Sequence, residues 1–591
     1  GSLAMSTANA LSFGSSSQIV AEDLSITAAS LSNAGLISGR DDLDLITSSG
    51  DLSNSGDIAG SDVVLSSAAA FGNSGRIHSS GALGVTALGA LGSDAGAELI
   101  GQVVTLTGRN ITNAGLINGV NATLTASDAL THTGMIYLSG VAQLTGGARA
   151  QLDGSLRAHD ARIEAAQVTT GAASVLETDR DLLLIASTDF THNGRAAALG
   201  TLDARVTAGG AAVNGTLHGE QTKLAGSAAL TLGSAAQIIG QSGIDVSASA
   251  LTGGLDASDF SRFFTNGNLK LAFASGGLSV GGSEQIAHSG NLALSLGGSI
   301  TNAGVIKSSG HLELWSGGNL LNNEGQLLAG GDMVLSAQSG SITNRSGSIE
   351  AGGGMVISGG SVTNEYRNLT VTDASSGEAA VAGTRTVENA GPCLIMSNDG
   401  TCDMTSDLVT QEDFTVANVA ASDLPPQSCN QSKMLTGIQA GTITGTACSD
   451  LANSAFGSPY SIFNGSLSWS SGTEVATEGA RPELLANGNL LISGATITND
   501  AGLISAGGNG TLSASSAFAN TGYEHSLTSG NANFSSHKYS QGAGQSGDEV
   551  EHFNFTVSNV SQTGGANTRI EGEVLASGNL TTSGSAGTQD G

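Results

Sequence analysis

A short phrase recurs along this chain about every twenty residues, and this period restricts the possible folds more than any other feature. The phrase is Asn-x-Gly followed by an apolar pair, as in Ser-Asn-Ala-Gly-Leu-Ile at 32–37 and Thr-Asn-Ala-Gly-Leu-Ile at 112–117. It returns at 301–306 and, after one long interruption, at 498–504. A fixed short period is typical of repeat proteins, in which each unit buries its apolar face by stacking on its neighbours. We therefore expect one elongated scaffold where 591 residues would otherwise form several globular domains.

The apolar residues within each unit alternate with polar ones, as in Leu43 and Leu45 or Val104 and Leu106. A period of two predicts β-strands, and the Gly, Ser, Thr and Asn between them disfavour helices. Each unit is predicted to hold two or three short strands joined by turns whose glycines supply positive φ angles. Stacking such units predicts an all-β parallel β-helix (a solenoid) of about 20-residue coils. Asparagines recurring at one corner are expected to hydrogen-bond in a ladder.

An array of antiparallel β-sandwiches is the alternative fold. It would need hairpin pairs and a coarser period of about a hundred residues. With strands ~4.8 Å apart, the β-helix instead predicts a rod about 85–90 Å long for residues 1–365.

The formal net charge of −30 makes nucleic acid a poor partner, because phosphates would be repelled. No run of eighteen apolar residues is present, so no transmembrane helix is predicted. The first residues do not have the pattern of a signal peptide, and the repeat is already established by Asn33. We expect the chain to be an excised segment of a longer protein.

One interruption divides the chain into a repeat region at 1–365, an insertion at 366–482 and a C-terminal region at 483–591. In the last region the repeat resumes and then becomes an irregular, strand-rich tail. The alternation of Phe553, Phe555 and Val557 there predicts a strand that re-forms or caps the rod. All five prolines lie in the insertion, and because proline is excluded from central strands, the insertion is expected to be rich in loops.

The insertion also contains the four cysteines of the chain. These are Cys393, Cys402, Cys429 and Cys448. They lack the close Cys-x2-4-Cys pair typical of zinc sites, and no histidine lies between His311 and His525, so neither a metal nor another cofactor is expected. Two disulfides are expected instead, which implies an oxidising compartment. Of the three possible pairings we favour Cys393–Cys402 with Cys429–Cys448. Each disulfide would close a loop and add about 3 kcal/mol to the stability of the folded chain by restricting the unfolded one.

Aromatic residues are more frequent in the insertion than in the repeats. The candidate receptor contacts are Phe456, Tyr460, Phe463 and Trp469. An insertion that only fills space is the structural alternative, but an aromatic-rich excursion from a smooth rod more often contacts a partner.

No catalytic residues are predicted. A Gly-x-Ser-x-Gly pattern at 277–281 and a Gly-x-Gly-x-x-Gly pattern at 542–547 are both present, but neither is followed by a predicted helix. The acidic run at 41–44 lacks the glycine-rich nonapeptide frame of calcium-binding rolls. We therefore predict that the chain is not an enzyme.

The units at 32–37, 112–117 and 301–306, with Leu-Leu-Ala-Gly-Gly-Asp-Met-Val-Leu at 327–335, resemble the haemagglutinin repeats of filamentous-haemagglutinin-type exoproteins. The resemblance covers about 1–365 well and 483–530 less closely. It implies a right-handed parallel β-helix that is secreted through the outer-membrane transporter of a two-partner secretion system. The expected location is the cell surface of a Gram-negative bacterium.

The order repeat, insertion, repeat is similar to that of contact-dependent growth inhibition exoproteins. In that branch a receptor-binding region lies between two repeat blocks, which implies recognition of an outer-membrane protein on a neighbouring bacterium. The alternatives are a filamentous adhesin that binds a host-cell protein or glycan, and a polysaccharide lyase built on a β-helix. A lyase would need acids and bases clustered in one groove, whereas the 20 basic residues here are dispersed. We expect a monomer, with recognition by the insertion or by the tract at 537–560.

Overall fold

The computed structural model describes residues 1–373, 379–390, 406–419, 461–542, 549–564 and 568–589, with side chains at 1–373, 472–527 and 568–584. Within these ranges the chain is a parallel β-solenoid of about 21 turns, so the predicted all-β solenoid is confirmed. The one described helix is a short 3-10 segment, Ala257–Arg262. None of the described helical structure is long and apolar enough to cross a membrane.

Each regular turn consists of three strands that stack on the same three strands of the next turn. In the turn beginning at Asp42 these are Asp42–Thr47, Leu52–Asn54 and Asp57–Gly60. The first strand pairs in parallel with Asp62–Ser67 of the following turn. At ~4.8 Å per turn, 21 turns form a rod of about 100 Å.

The strands of the rod follow one another along the chain, and the 3-10 helix Ala257–Arg262 lies between two of them. In residues 1–97 they are short and separate: Leu3–Ser6, Leu11–Phe13, Gln18–Ala21, Leu24–Ala28, Leu31–Asn33, Leu36–Gly39, Asp42–Thr47, Leu52–Asn54, Asp57–Gly60, Asp62–Ser67, Phe71–Asn73, Arg76–Ser79, Ala82–Ala87 and Ala90–Ser93. In residues 98–248 several continue through a corner: Glu98–Asn113, Leu116–His132, Met135–Leu138, Val141–Leu152, Ser155–Ala158, Asp160–Thr170, Val175–Thr178, Leu182–His192, Arg195–Ala198, Thr201–Val206, Ala211–Val213, Thr216–Gly226, Ala229–Leu232 and Gln237–Ala248. The next are Ala250–Leu251, Leu255–Asp256, Phe263–Phe264, Asn268–Phe273, Leu278–Val280, Gln285–His288, Leu292–Leu296, Ile300–Asn302, Val305–Ser308, Leu312–Ser316, Leu320–Asn323, Gln326–Ala329, Met333–Arg345, Ser348–Ala351 and Met355–Glu365. The last are Glu483–Ala486, Leu490–Asp500, Leu503–Ala506, Gly510–Thr521, Glu573–Ala576 and Leu580–Gln589.

The core is a set of apolar columns that run along the rod. Leu24, Leu43, Val63 and Leu83 are in register in four successive turns, and each is at most 2 % exposed. Burying a side chain of this size contributes about 1.5–3 kcal/mol. Each turn covers the apolar face of the turn beneath it, which explains how a chain with few aromatic residues builds a continuous core.

The predicted asparagine ladder is confirmed at one corner. Asn33 Nδ2 donates to Asn54 Oδ1 at 2.8 Å, and Asn54 Nδ2 donates to Asn73 Oδ1 at 2.9 Å. Farther along, Asn322 Nδ2 donates to Asn344 Oδ1 at 2.8 Å. These amides are at most 2 % exposed, so each must find its partners within the stack.

The glycines at this corner serve a different purpose from the predicted one. Positive φ angles are found at other glycines among the described residues, and not at Gly35, Gly56 or Gly75. A Cβ built on Gly56 would overlap the carbonyl oxygen of Gly35 in the turn below, and one on Gly75 would overlap that of Gly56. The prediction of positive φ was wrong there: glycine is required because successive turns approach too closely for a side chain.

The rod continues through residues 134–299, where the repeated phrase is hard to recognise. Along the ladder corner, His132 follows Asn113, while Thr170 precedes His192. His132 Nδ1 accepts from Asn113 Nδ2 at 3.1 Å and its Nε2 donates to Ser155 O at 3.0 Å. Burial lowers the pKa of His132 and of His192, so both rings are held neutral. The column therefore accepts other buried side chains, provided that their polar atoms find hydrogen-bond partners or that they have no polar atoms.

Candidate functional site

Two insertions leave the rod at the corner that carries the asparagine ladder. The first insertion (366–482) begins after Met355–Glu365, and the chain returns with Glu483–Ala486, which pairs in parallel with Ser348–Ala351. The asparagine ladder continues across the first insertion, since Asn364 Nδ2 donates to Asn499 Oδ1 at 2.8 Å although the two residues are 135 positions apart. The rod is thus continuous through the first insertion.

A second insertion (522–572) leaves the same corner after Gly510–Thr521. The chain returns with Glu573–Ala576, which pairs with Leu503–Ala506 of the preceding turn. One complete turn, which begins with Leu490–Asp500, lies between the two points of departure. Stacking therefore places both insertions side by side.

The first and last strands of each insertion pair with each other and form a short antiparallel stem. In the first stem Asn368–Asp373 pairs with Thr473–Glu478, and in the second Tyr523–His525 pairs with Thr568–Ile570.

The two stems are bonded to each other. Ser526 N donates to Thr473 O at 2.9 Å, Thr473 N donates to Ser526 Oγ at 3.2 Å, and Val475 N donates to His525 Nδ1 at 3.1 Å. The acceptor role of His525 Nδ1 places the proton of the neutral ring on Nε2.

Beyond the stems, the two insertions form one five-stranded antiparallel sheet, called here the head sheet. Its strands in spatial order are Ser406–Val419, Ala379–Ala390, Ser461–Ser471, Thr528–Gly542 and Glu549–Gly564. The first three belong to the first insertion and the last two to the second. The joint between them extends from Ser461 opposite Lys538 to Ser471 opposite Thr528. Neither insertion forms this sheet alone.

A cluster of charged and polar groups holds the base of the first stem against the rod. Arg367 Nη1 donates to Glu324 Oε2 at 3.0 Å, and its Nη2 donates to the Glu478 carboxylate. Asn368 Nδ2 donates to Glu478 Oε2 at 2.5 Å, and Arg367 N donates to Ser346 Oγ at 2.8 Å. The hydrogen bonds from Asn368 and then Arg367 lower the pKa of Glu478, which keeps this carboxylate ionised. Because Arg367, Glu324 and Glu478 are well exposed, their ion pairs orient the stem more than they stabilise the fold.

A second arginine connects the ends of the two insertions. Arg481 Nη2 donates to Glu571 O at 2.9 Å and to Glu573 Oε2 at 3.0 Å. In the turn between the insertions, Asp500 Oδ1 accepts from Tyr523 Oη at 2.7 Å. Burial, with this bond, raises the pKa of Tyr523, so the phenol stays protonated. The head sheet is thus joined to several successive turns of the rod.

Only part of the predicted site falls within the described chain. Cys393, Cys402, Cys429, Cys448, Phe456 and Tyr460 lie outside the described residues. Phe463 and Trp469 lie on Ser461–Ser471, the central strand of the head sheet, opposite Ser536 and Gly530 of the second insertion.

The predicted role of the C-terminal tract was wrong. Glu549–Gly564, which contains Phe553 and Phe555, is an edge strand of the head sheet and does not re-form or cap the rod. Its alternating pattern indicated a strand but could not indicate the partner strand, Thr528–Gly542.

Within the residues that the structure describes, no group of three or more His, Cys, Asp or Glu side chains is arranged to hold a metal ion. The feature that distinguishes this corner is structural: an antiparallel sheet is attached to the side of a parallel rod.

A parallel β-solenoid with laterally inserted strands defines the chain as a rod-shaped repeat protein. The profile of the haemagglutinin repeat matches residues 1–87, 151–216, 264–324, 321–391 and 483–532, which together make up more than half of the chain. The chain therefore belongs to the haemagglutinin-repeat family. Proteins of this family are secreted, surface-exposed exoproteins with structural and adhesin-like roles. No curated protein and no solved structure is significantly similar to this chain.

Proposed function

We propose that this chain is the rod segment of a secreted exoprotein whose head sheet recognises an outer-membrane protein on a neighbouring target bacterium, for contact-dependent growth inhibition. The exoprotein would leave a Gram-negative cell through the outer-membrane transporter of a two-partner secretion system and act as a monomer. We take its winding to be right-handed, as parallel strand crossovers almost always are.

The observation that supports this proposal is the convergence of two insertions into one sheet. The rod does not need them for its continuity, because the bond from Asn364 to Asn499 closes the ladder across the first. A sheet assembled from segments far apart in sequence and bonded to the rod suits a surface that must keep its shape. A partner-binding surface is a common reason for such an elaboration of a repeat scaffold.

Within this proposal, Phe463 and Trp469 on the central strand, with Phe456 and Tyr460, are the receptor contacts to test first. Cys393, Cys402, Cys429 and Cys448 would form two disulfides in the same insertion. Mass spectrometry of the unreduced protein would establish their pairing, and four free thiols would contradict this part of the proposal.

The regular turns suggest how to remove the head sheet without breaking the rod. Residues 366–482 correspond to Ser346-Gly347 in the turn below, and 522–572 correspond to Ala501-Gly502. Replacing the first insertion by Ser-Gly and the second by Ala-Gly should leave a rod that keeps a β-type circular dichroism spectrum and the thermal unfolding of the rod. That rod is the matched control for binding.

The test compares the intact chain and this headless rod on bacteria that each lack one outer-membrane protein, and on animal cells. We expect the intact chain to bind bacteria and to lose this binding when one particular outer-membrane protein is absent. We expect the headless rod not to bind. Binding to animal cells that requires the head sheet, with no effect of any bacterial protein, would favour the host adhesin. Equal bacterial binding by the headless rod would refute the role of the head sheet.

A further inference from the structure

A depression of about 440 Å³ lies on the rod, at the corner where the first strands of five successive turns end. Its floor includes Phe273 and Leu296, each 3 % exposed. Its polar lining includes Ser247, Ser295 and Gln338, and no charged side chain borders it within the described chain. The volume is in the range of small-ligand sites.

Trp315 forms one wall of this depression and is 47 % exposed. It occupies an outward-facing column in which Ser295 precedes it and Ser336 follows it in register. Every other member of that column from Ser247 to Ser583 is serine or alanine. One large ring therefore projects from an otherwise flat track, and it is the only tryptophan of the chain outside the first insertion.

The depression coincides with the most irregular part of the rod. A smaller depression of about 180 Å³ adjoins it and shares Phe273 and Leu296. It extends to Gly254 and Gly276, both with positive φ. The preceding turn departs from three plain strands and contains the helix Ala257–Arg262. The corner is thus open at this level of the rod, which produces an elongated groove along the rod axis.

The charge around the groove limits the class of ligand. An ion pair on the same strands, Lys270 Nζ to Asp245 Oδ2 at 3.5 Å, lies three residues before the strand ends and is self-neutralising. With a net charge of −30 on the chain, an acidic ligand would be repelled. The groove combines an exposed aromatic face, hydroxyl groups and an amide, which matches a ligand that has both an apolar ring face and many hydroxyls.

We propose that this groove binds a neutral oligosaccharide. One sugar ring stacks on Trp315, and hydroxyls along the oligosaccharide bond to the Ser247, Ser295 and Gln338 side chains. Successive turns are ~4.8 Å apart, close to the length of one pyranose unit, so a short glycan can follow the rod axis. The site is separate from the head sheet, which leaves the rod at a different corner.

The test uses Trp315→Ser, which converts the side chain to that of its column neighbours and so should fold normally. Ile46→Ser is the matched control, since Ile46 is 37 % exposed in the same column near the N-terminal end. Immobilised gluco-, manno-, galacto- and N-acetylglucosamine oligosaccharides are the probes, with a sulfated oligosaccharide for comparison. In a Trp469→Phe background, Trp315 is the one tryptophan fluorophore.

We expect at least one neutral oligosaccharide to bind and to change Trp315 fluorescence, with affinity at least tenfold weaker for Trp315→Ser and unchanged for Ile46→Ser. The headless rod should bind as well as the intact chain, so this result does not depend on the proposed receptor function. Absence of binding by the intact chain at millimolar sugar would overturn the inference. Equal binding by Trp315→Ser, or preference for the sulfated probe, would also overturn it.

Discussion

The rod and the head sheet are both β-structures, yet they are specified in opposite ways. In the rod, paired residues lie about one turn apart in sequence, as with Asn33 and Asn54 at a separation of 21. In the head sheet, Ser461 pairs with Lys538, on a strand from another insertion. Pairing between strands one turn apart recurs in every turn, so it leaves a period in the sequence. Pairing between two distant strands occurs once and leaves no period. The rod is also parallel with a buried inner face, while the head sheet is antiparallel.

This comparison predicts that the rod is sensitive to small changes at the ladder corner and is independent of the head sheet. Stability in a stacked repeat is roughly the sum of the turns and their interfaces, so each effect should be local. The tests below run from the largest expected effect to the smallest.

Gly56→Ala should destabilise the rod most. Its Cβ would overlap the carbonyl oxygen of Gly35, so two turns must separate, at about 3 kcal/mol or more. Gly72→Ala is the control, because a Cβ there meets nothing within 4 Å. Denaturant unfolding and amide exchange of the neighbouring turns measure the effect. Equal stability of the two variants would show that close approach of the turns does not explain the corner glycines.

Asn344→Ala should cost about 2 kcal/mol, because it leaves buried backbone groups without partners. Asn344 Nδ2 donates to Asn364 Oδ1 at 2.8 Å and to Gly347 O at 2.9 Å. The exposed pair from Asn214 Nδ2 to Asn193 Oδ1 provides the control, since Asn214→Ala should cost only a few tenths of a kcal/mol. A similar loss in both variants would mean that the buried ladder contributes no more than a surface bond.

The middle of the rod should weaken in acid. His132 has an ordinary pKa of 6.5, which burial lowers in the folded state, so below pH 6.5 the unfolded chain binds a proton that the folded chain does not. Stability should therefore fall as pH decreases through 6.5 and level off below the folded pKa, by about 1 kcal/mol per pH unit in between.

His132→Asn, which extends the asparagine ladder, should reduce this dependence, leaving the contribution of His192. Amide exchange at Leu116–His132, measured at pH 7.5 and 5.5, distinguishes the two proteins. An unchanged pH profile in His132→Asn would assign the acid sensitivity to other groups.

Ser93→Asn should stabilise the rod by about 1 kcal/mol, since it would repair a gap in the ladder. Ser93 is in register between Asn73 and Asn113, and neither its hydroxyl nor Asn113 Oδ1 has a hydrogen-bond partner among the described residues. Thermal unfolding measures the gain, with Ser93→Ala as a near-neutral comparison. Destabilisation by asparagine would show that this level of the corner is too narrow for an amide.

Arg367→Met should change the stability of the rod least, by less than about 1 kcal/mol, because its ion pairs are exposed. It should nevertheless increase amide exchange in Asn368–Asp373 and Thr473–Glu478, where Arg367 bonds Glu478. Arg162→Met, which breaks the exposed pair with Glu164 at 2.6 Å, is the control and should leave the stems unchanged. Identical exchange in both variants would mean that Arg367 does not position the first stem.

Several features of the rod could be predicted from the sequence because they repeat. The alternation around Leu43 and Leu45 predicted the strands, and the recurrence of asparagine predicted the ladder. The reason for the corner glycines could not be predicted, since it depends on the distance between Gly56 and the turn below. The continuity of the rod through His132 and His192 was also hidden, because a buried column accepts any side chain of suitable size whose polar atoms are satisfied.

The sequence by itself determined the solenoid and its family, because stacking makes each residue's environment recur about every twenty residues. The proline and cysteine content at 392–482 also marks an interruption of the repeat in the sequence. Only the tertiary structure decided that a second insertion exists, and that Ser461–Ser471 and Thr528–Gly542 form one sheet. The physical reason is that stacking brings two distant points of the chain to one corner, two turns apart, and no local pattern records that proximity.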